Sequence, residues 1–173
     1  MSTEHAPSRI RDLDRTVAAS AAKLLADRQV AVAESCTAGR IAAELAAVDG
    51  ASQFFAGGVV AYEERVKREV LGVTSHSVLC EGAAVEMARG VGKLLGAEAT
   101  LATTGVAGPE PIEGVQPGTV FVATVVGDEC RSAELHFGGT PDEVCVAAAD
   151  RALVMLVRHL EDADGAVPRV NSR

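Results

Sequence analysis

The segment VAVAESCTAGRIAAELAAV, residues 30–48, constrains the fold more than any other part of the sequence. It opens with a short apolar run, Val30–Glu34, which is typical of a buried strand. Beyond Ser35, Ile41 and Leu45 recur with alanines at the spacing of a helix. Since a buried strand that passes directly into a helix is a building unit of α/β domains, we predict an α/β fold with Ser35 at the edge of its sheet.

The remaining sequence continues this alternation of strands and helices. Further helices are predicted at residues 14–28, in EERVKREVLG up to Gly72, in EGAAVEMARGVGKLLG up to Gly96, and from TPDE to about Leu160. Further strands are predicted in QFFAGGVVAY, ATLATT, TVFVATVV and RSAELHF, the last two joined in an antiparallel hairpin around Gly127 and Asp128. We therefore expect a three-layer α/β/α sandwich with a mixed sheet, formed by one domain at residues 13–162 between flexible tails at 1–12 and 163–173.

Composition excludes several classes of protein. The 173 residues, 48% of them hydrophobic, suffice for one ordinary domain, and the lack of a long apolar run or a secretory signal predicts a cytoplasmic protein without a membrane partner. The four cysteines are far apart, so we expect neither a metal site nor a disulfide framework, and no cofactor. A net charge of −8 argues against a nucleic-acid partner.

Ser35 has two interpretations. Serine is a favoured N-cap, so it is expected to accept a hydrogen bond from the first turn of the following helix. A serine between strand and helix is also well placed to act as a nucleophile, beside amides and a helix dipole that favour negative charge. Cys36 is a rival nucleophile, although a small cysteine in a tight turn more often serves packing. No histidine is conveniently placed to form a Ser-His-Asp arrangement, so position alone leaves the alternatives open.

The glycine-rich stretch TTGVAGPEP also admits two interpretations. On the first interpretation, Gly105 and Gly108 are turn residues at the end of a strand. They would equally let backbone amides approach an anion or a planar ring, to which Thr104 adds a hydroxyl. The stretch matches neither the dinucleotide-binding nor the P-loop pattern, so by itself it is a weak signal.

Taken together, AESCTAG, GGVVAYEERVKREVLGV and TTGVAGPEP…QPGTVFVA resemble the CinA C-terminal domain family in order and spacing, over about residues 13–160. That family includes amidohydrolases that deamidate nicotinamide mononucleotide. The resemblance implies an α/β/α domain, usually a homo-oligomer, that acts on a pyridine nucleotide as its small-molecule substrate. It implies a catalytic set of Ser35, Tyr62 and Lys67, and substrate contacts from Thr37, Gly39, Gly58, Thr104, Gly105 and Gly108.

The chemistry of this catalytic set is consistent with amide hydrolysis. A serine hydroxyl attacks an unactivated carboxamide only if a base takes its proton, and without a suitable histidine Lys67 must be that base. It would have to be partly desolvated, because a free lysine has a pKa of about 10.4. Tyr62 would relay the proton or orient the reactants. The alternative is that Lys67 is an exposed partner of Glu63 and that Tyr62 is an ordinary aromatic residue at the end of a strand.

Three positions depart from the family pattern. Ala38 stands where the family has a glycine, a change that a helical backbone tolerates and a positive φ does not. Glu64 replaces an asparagine that many members carry, and its charge would repel a phosphate. Thr140 replaces an arginine after the last strand. Two hypotheses follow: an amidohydrolase acting on nicotinamide mononucleotide, which we favour, or a relative that binds a nucleotide-like ligand in a regulatory or damage-response role without efficient catalysis.

Overall fold

The computed structural model describes residues 9–25 and 28–166, with no account of the side chains of 9–16 and 166. The helices are α1 Arg9–Leu25, α2 Arg40–Ala46, α3 Ala51–Phe54, α4 Glu64–Leu71, α5 Glu81–Leu95 and α6 Pro141–Ala166. The strands are β1 Val30–Glu34, β2 Phe55–Val60, β3 Ala99–Val106, β4 Thr119–Val126 and β5 Glu129–His136.

The five strands form one mixed sheet in the order β2-β1-β3-β4-β5. Strands β2, β1 and β3 run parallel, and β4 and β5 run antiparallel to their neighbours. The β4–β5 register closes with Val126 opposite Glu129, so Gly127 and Asp128 form the predicted hairpin turn, and Gly127 has the positive φ that such a turn requires. The predicted mixed sheet is confirmed.

Helices cover both faces of this sheet, which gives the predicted three layers. On one face, alternate strand residues such as Val32 and Leu101 pack with α1, α2 and the apolar side of α6. On the other face, alanines such as Ala33 and Ala102 pack with α5 and with Leu71 at the end of α4. The side-chain period of two along each strand divides the core in this way.

Local signals set several helix ends as the sequence predicts. Gly72 and Gly96 end α4 and α5 in the left-handed conformation, with φ of 71° and 68°. At the start of α6, the Thr140 N–H donates to Glu143 Oε2 at 2.8 Å, and the Glu143 N–H reaches back to Thr140 Oγ1 at 3.4 Å. TPDE is therefore a capping box with Pro141 at the first helical position.

The helices extend beyond the predicted bounds at both ends of the chain. Helix α1 begins at Arg9, inside the segment expected to be a tail, and α6 continues to Ala166 because Ala163 still packs on the core and Asp164 pairs with Arg28. Residues 1–8 and 167–173, predicted as tail, lie outside the described residues. The single helical turn α3 occupies the start of the segment QFFAGGVVAY predicted as strand, since one turn is too short to show a helical period.

Candidate active site

The site lies where the carboxyl ends of the parallel strands meet. Strand β1 ends at Glu34 between β2, ending at Val60, and β3, ending at Val106. Ligands of open α/β sheets bind at this edge, because the loops there diverge and leave a crevice. A cavity of about 350 Å³ opens at this position, and Ser35, Tyr62 and Lys67 all line it.

Ser35 is almost completely buried, with 5% of its surface exposed. Its backbone N–H donates to the Thr103 carbonyl at 3.0 Å, which extends the β1–β3 ladder by one residue and fixes the position of its Cα. Within the part of the chain that the structure describes, no hydrogen bond involves the Ser35 side chain. Ser35 is thus a buried residue of the cavity wall whose side chain has no hydrogen-bond partner among the described residues.

Helix α2 is capped by Glu34 and not by Ser35. The helix begins at Arg40, and its N-cap is Gly39 with a φ of 95°. The fully buried carboxylate of Glu34 accepts from the Gly39 N–H at 3.0 Å, the Ile41 N–H at 3.2 Å and the Ala42 N–H at 2.8 Å. The N-cap interpretation of Ser35 is therefore wrong, because a neighbouring carboxylate already satisfies the helix terminus.

Cys36 is unsuited to compete with Ser35 as the nucleophile. Burial, with a smaller contribution from Cys145, raises the pKa of the Cys36 thiol to about 12, so hardly any thiolate exists at neutral pH. The Cys36 carbonyl accepts a hydrogen bond from Cys145 Sγ at 2.8 Å, which ties this turn to α6. Cys36 and Cys145 both line the cavity.

Lys67 is a buried cation with little to stabilise its charge. The residue is 3% exposed, and Nζ donates to the Tyr62 carbonyl at 3.3 Å. No carboxylate among the described residues forms an ion pair with it, so the alternative of an exposed Glu63–Lys67 pair is wrong. Burial lowers the pKa of Lys67 below its ordinary value of 10.5, although its neighbours Cys36, Glu64 and Glu113 partly oppose this.

Tyr62 and Lys67 reach the same cavity because a turn separates them. Strand β2 ends at Val60, Tyr62 lies in the connection, and Lys67 is on α4, one helical turn beyond the Glu63 N-cap. Tyr62 is 72% exposed, so its ring lies at the rim of the cavity. Tyr62 and Lys67 are five positions apart and would point to different faces of a continuous helix, but this strand-turn-helix geometry brings both to the cavity.

The predicted substrate-contact residues fall into two groups. Gly105 and Gly108 line the cavity. Thr104 is fully buried, and its hydroxyl donates to the Val78 carbonyl at 2.8 Å. Thr37 is also fully buried and shares a hydrogen bond with Thr103 Oγ1 at 2.7 Å. These hydrogen bonds connect the segments that form the cavity wall, and neither threonine lines the cavity.

Gly39 and Gly58 have structural roles. The Gly39 N–H is bound by Glu34, and its φ of 95° is one that L side chains rarely adopt. A Cβ on Gly58 would lie 2.5 Å from Val32 Cγ2 and 3.0 Å from the Val32 carbonyl oxygen, so this glycine lets the facing part of β1 pack closely. Neither glycine lines the cavity.

The sequence analysis missed three residues of this site. Glu34, which caps α2, stands in the quoted motif AESCTAG directly before the serine, and that adjacency was its only signal. Glu113 lines the cavity from the tip of a tight turn between Ile112 and Val115, inside the long glycine-rich loop. Cys145 reaches the site from the second turn of α6, a contact across 109 residues with no local signal.

A larger cleft of about 870 Å³ lies at the opposite edge of the sheet. It is lined by both cations, such as Arg89 and Lys93, and anions, such as Glu98 and Asp128. It contains none of the residues that the sequence singles out for chemistry. Size alone does not make it the better candidate site, because the buried residues Ser35 and Lys67 both line the smaller cavity and neither lines the larger cleft.

Two further searches covered the described residues only. They contain no helix long and apolar enough to cross a bilayer. They also contain no group of three or more histidine, cysteine or acidic residues arranged to hold a metal ion.

The fold and the cavity define a class: an α/β/α domain with a buried serine and a buried lysine at the carboxyl edge of its parallel strands. Residues 14–160 match the family model described as the CinA C-terminal domain. The chain therefore belongs to the CinA C-terminal domain family.

Relatives of known sequence and structure agree with this assignment. A CinA-like protein of Syntrophus aciditrophicus is 40% identical over 165 residues, covering 90% of this chain and 39% of the relative. A CinA-like protein of Geotalea daltonii is 37% identical over 137 residues, covering 76% of this chain and 33% of the relative. The chain thus spans well under half the length of these curated relatives.

Solved structures show the same fold. A competence-damaged protein (CinA) superfamily protein from Klebsiella pneumoniae superposes with a TM-score of 0.82 at 31% identity, covering 86% of this chain and 98% of that one. A competence/damage-inducible protein from Agrobacterium tumefaciens gives a TM-score of 0.78 at 30% identity, covering 93% and 99%. The α/β/α architecture is therefore that of the superfamily.

Proposed function

We propose that this domain is an amidohydrolase that removes ammonia from the carboxamide of nicotinamide mononucleotide, with Ser35 as nucleophile and Lys67 as base. The observation that carries the proposal is that two buried residues line one cavity: Ser35, whose side chain has no hydrogen-bond partner among the described residues, and Lys67, whose pKa is lowered by burial. A nucleophile next to a base of lowered pKa is the arrangement that acyl transfer needs.

The reaction balances with these two groups and one water molecule. As Ser35 Oγ bonds to the carboxamide carbon, the neutral Lys67 amine takes the hydroxyl proton. The lysine ammonium then protonates the leaving nitrogen, the carbon–nitrogen bond breaks, and ammonia leaves. The acyl group remains bound to Ser35 as an ester. Water then attacks this ester while Lys67 takes a proton from the water. Lys67 returns that proton to Ser35 Oγ, the ester bond breaks, and the carboxylate product is released. Tyr62, at the cavity rim, orients the substrate.

Arg40 is the residue that we propose as a contact for the substrate phosphate. The family arginine is missing at Thr140, but Arg40 begins α2 and pairs with Asp142 in the first turn of α6. Burial raises the pKa of the cavity-lining Cys145 and the Arg40 guanidinium partly opposes this, so Arg40 lies close to a residue of the cavity. Both members of the Arg40–Asp142 pair are exposed, so releasing Asp142 to bind a phosphate would cost little.

The experiment that tests the proposal is ammonia release from nicotinamide mononucleotide by the purified protein. The Ser35→Ala variant is the control, because it removes the nucleophile and leaves Glu34 to cap α2. We expect equal amounts of ammonia and nicotinate mononucleotide from the wild type and none from the variant. Binding of the nucleotide without any ammonia release would instead favour the regulatory alternative.

A further inference from the structure

The turn that carries Ser35 is fixed by backbone hydrogen bonds on both sides of the serine. The Ser35 N–H donates to the Thr103 carbonyl at 3.0 Å, and the Ala38 N–H donates to the Ser35 carbonyl at 3.1 Å. The first bond holds the turn to β3, and the second closes it over four residues. Neither bond involves the carbonyl of Cys36, the residue after Ser35. The orientation of that peptide group therefore depends on another contact.

That contact comes from helix α6. Cys145 Sγ lies 2.8 Å from the Cys36 carbonyl oxygen, and of these two groups only the thiol can donate a hydrogen bond. Among the described residues, no other donor reaches this carbonyl. Burial raises the pKa of the Cys145 thiol above its ordinary value of 9.0, although the Arg40 guanidinium partly opposes this. The thiol therefore keeps the proton that it donates at neutral pH.

Docking of α6 does not depend on this hydrogen bond. Val144 and Ala148, which stand on either side of Cys145 in the helix, are almost completely buried in the core between α6 and the sheet. Burial of apolar side chains along the helix contributes more to docking than one bond from a thiol, which is a weak donor. Cys145 is itself only half-buried, and it lines the cavity together with Ser35 and Cys36. The contact therefore acts mainly on the cavity wall.

We infer that Cys145 is a positioning residue for the proposed reaction: its thiol holds the Cys36 carbonyl, and with it the turn that places Ser35 in the cavity wall. This inference rests on the proposed function, in which Ser35 is the nucleophile. Attack requires the serine oxygen in line with the carboxamide carbon, and a displacement of about 1 Å can reduce the rate by about 10²-fold. Cys145 exerts this effect through the turn, without a bond to the substrate.

Alanine and serine in place of Cys145 test the inference as a matched pair. Both variants lose the sulfur, and only Cys145→Ser keeps a hydroxyl that can donate to the Cys36 carbonyl. We expect Cys145→Ala to lower kcat for ammonia release about tenfold with KM nearly unchanged, because the turn and not substrate binding is affected. Cys145→Ser should recover most of the lost kcat. Cys130→Ala, at a half-buried thiol that does not line the cavity, should behave as the wild type.

Hydrogen exchange of the Ala38 amide provides a readout that does not rely on turnover. Because this N–H is bonded to the Ser35 carbonyl, it should exchange about fivefold faster in Cys145→Ala, the scale of one lost hydrogen bond, and at the wild-type rate in Cys145→Ser.

Three results would overturn the inference. They are normal kcat or unchanged exchange in Cys145→Ala, a Cys145→Ser variant as impaired as Cys145→Ala, and failure of Cys145→Ala to fold, since α6 should dock without the thiol. If the wild type releases no ammonia, the amidohydrolase proposal fails, and the exchange rates alone decide whether Cys145 positions the turn.

Discussion

Two strand-to-helix connections meet at the candidate active site, and they differ in how well they stabilise a buried ionisable group. Between β1 and α2, the buried carboxylate of Glu34 accepts three backbone N–H groups. Between β2 and α4, the buried amine of Lys67 has one contact of 3.3 Å, to a carbonyl. The Glu34 carboxylate therefore stabilises the start of α2, whereas few interactions stabilise the charged form of the Lys67 amine. A buried ionisable group is therefore suited to catalysis when its charged form is poorly satisfied.

The largest effect expected is loss of activity at Ser35 with no loss of stability. Ser35→Ala should reduce turnover by 10³-fold or more, as expected for a lost nucleophile. Because Glu34 caps α2, the same change should alter the free energy of unfolding by less than about 0.5 kcal/mol, against about 1 kcal/mol for a lost serine cap. Turnover and denaturant unfolding measure the two quantities. A destabilised variant with normal turnover would show that the serine caps the helix after all.

Lys67→Arg tests the second connection. Arginine keeps the charge but does not lose a proton near neutral pH, so turnover should fall by about 10²-fold. Wild-type turnover should rise with pH through a midpoint below 10.5, since burial lowers the pKa of Lys67 and the neutral amine is the active form. That rising limb should be absent from the pH profile of the variant.

Two further variants make the Lys67 test specific. Lys67→Met fills the same buried space without an amine and should be at least as inactive as Lys67→Arg, while Lys93→Arg on the exposed side of α5 should behave as the wild type. An active Lys67→Arg variant with an unchanged pH profile would rule out the Ser-Lys mechanism.

Glu34→Gln tests the first connection. The amide side chain loses the charge and presents an NH₂ group to backbone donors, so the free energy of unfolding should fall by about 2 kcal/mol. Glu63→Gln is the matched control, because Glu63 is the N-cap of α4 and makes no side-chain capping bond. Chemical denaturation of both variants measures the difference. Equal stability of the two would mean that the α2 terminus does not depend on the buried carboxylate.

The smallest effect expected concerns Ala38, where the backbone has a φ of 53°. Ala38→Gly should stabilise the protein by about 0.5 kcal/mol, because relief of the left-handed strain exceeds the entropy gained by the unfolded chain. Ala43→Gly, in the exposed interior of α2, should destabilise it by about 1 kcal/mol. Thermal unfolding of both variants provides the measurement, and a destabilised Ala38→Gly would contradict this account of the turn.

Sequence patterns predicted the elements whose signals are local. The strand at Val30–Glu34, the hairpin turn at Gly127, the glycine caps at Gly72 and Gly96, and the capping box at Thr140 all depend on neighbours within a few residues, and the structure confirms them. The short helix α3 was missed because a single turn shows no helical period in the sequence. The last turns of α6 were missed because tertiary packing, and not a local signal, extends that helix.

The candidate site was harder to predict because its contacts are not local. Ser35 and Lys67 share a cavity because β1 pairs with β2, and Glu113 reaches the same cavity from a loop after β3. The role of Glu34 was missed because the N-cap rule favours a serine. In this protein the buried carboxylate one residue before Ser35 accepts hydrogen bonds from three backbone N–H groups at the start of α2. Motif matching singled out Ser35, Tyr62 and Lys67 as candidates, and their burial and hydrogen bonding follow from the fold.

The hydrogen bond from Cys145 Sγ to the Cys36 carbonyl has a consequence for the order of folding. It joins positions 109 residues apart, so the turn that carries Ser35 gains this support only when α6 has docked. The strands that flank β1 also come from later in the chain, so the cavity is assembled from segments of high sequence separation, which close slowly. The candidate active site should therefore be one of the last parts of the fold to form, and α6 is the segment that completes it.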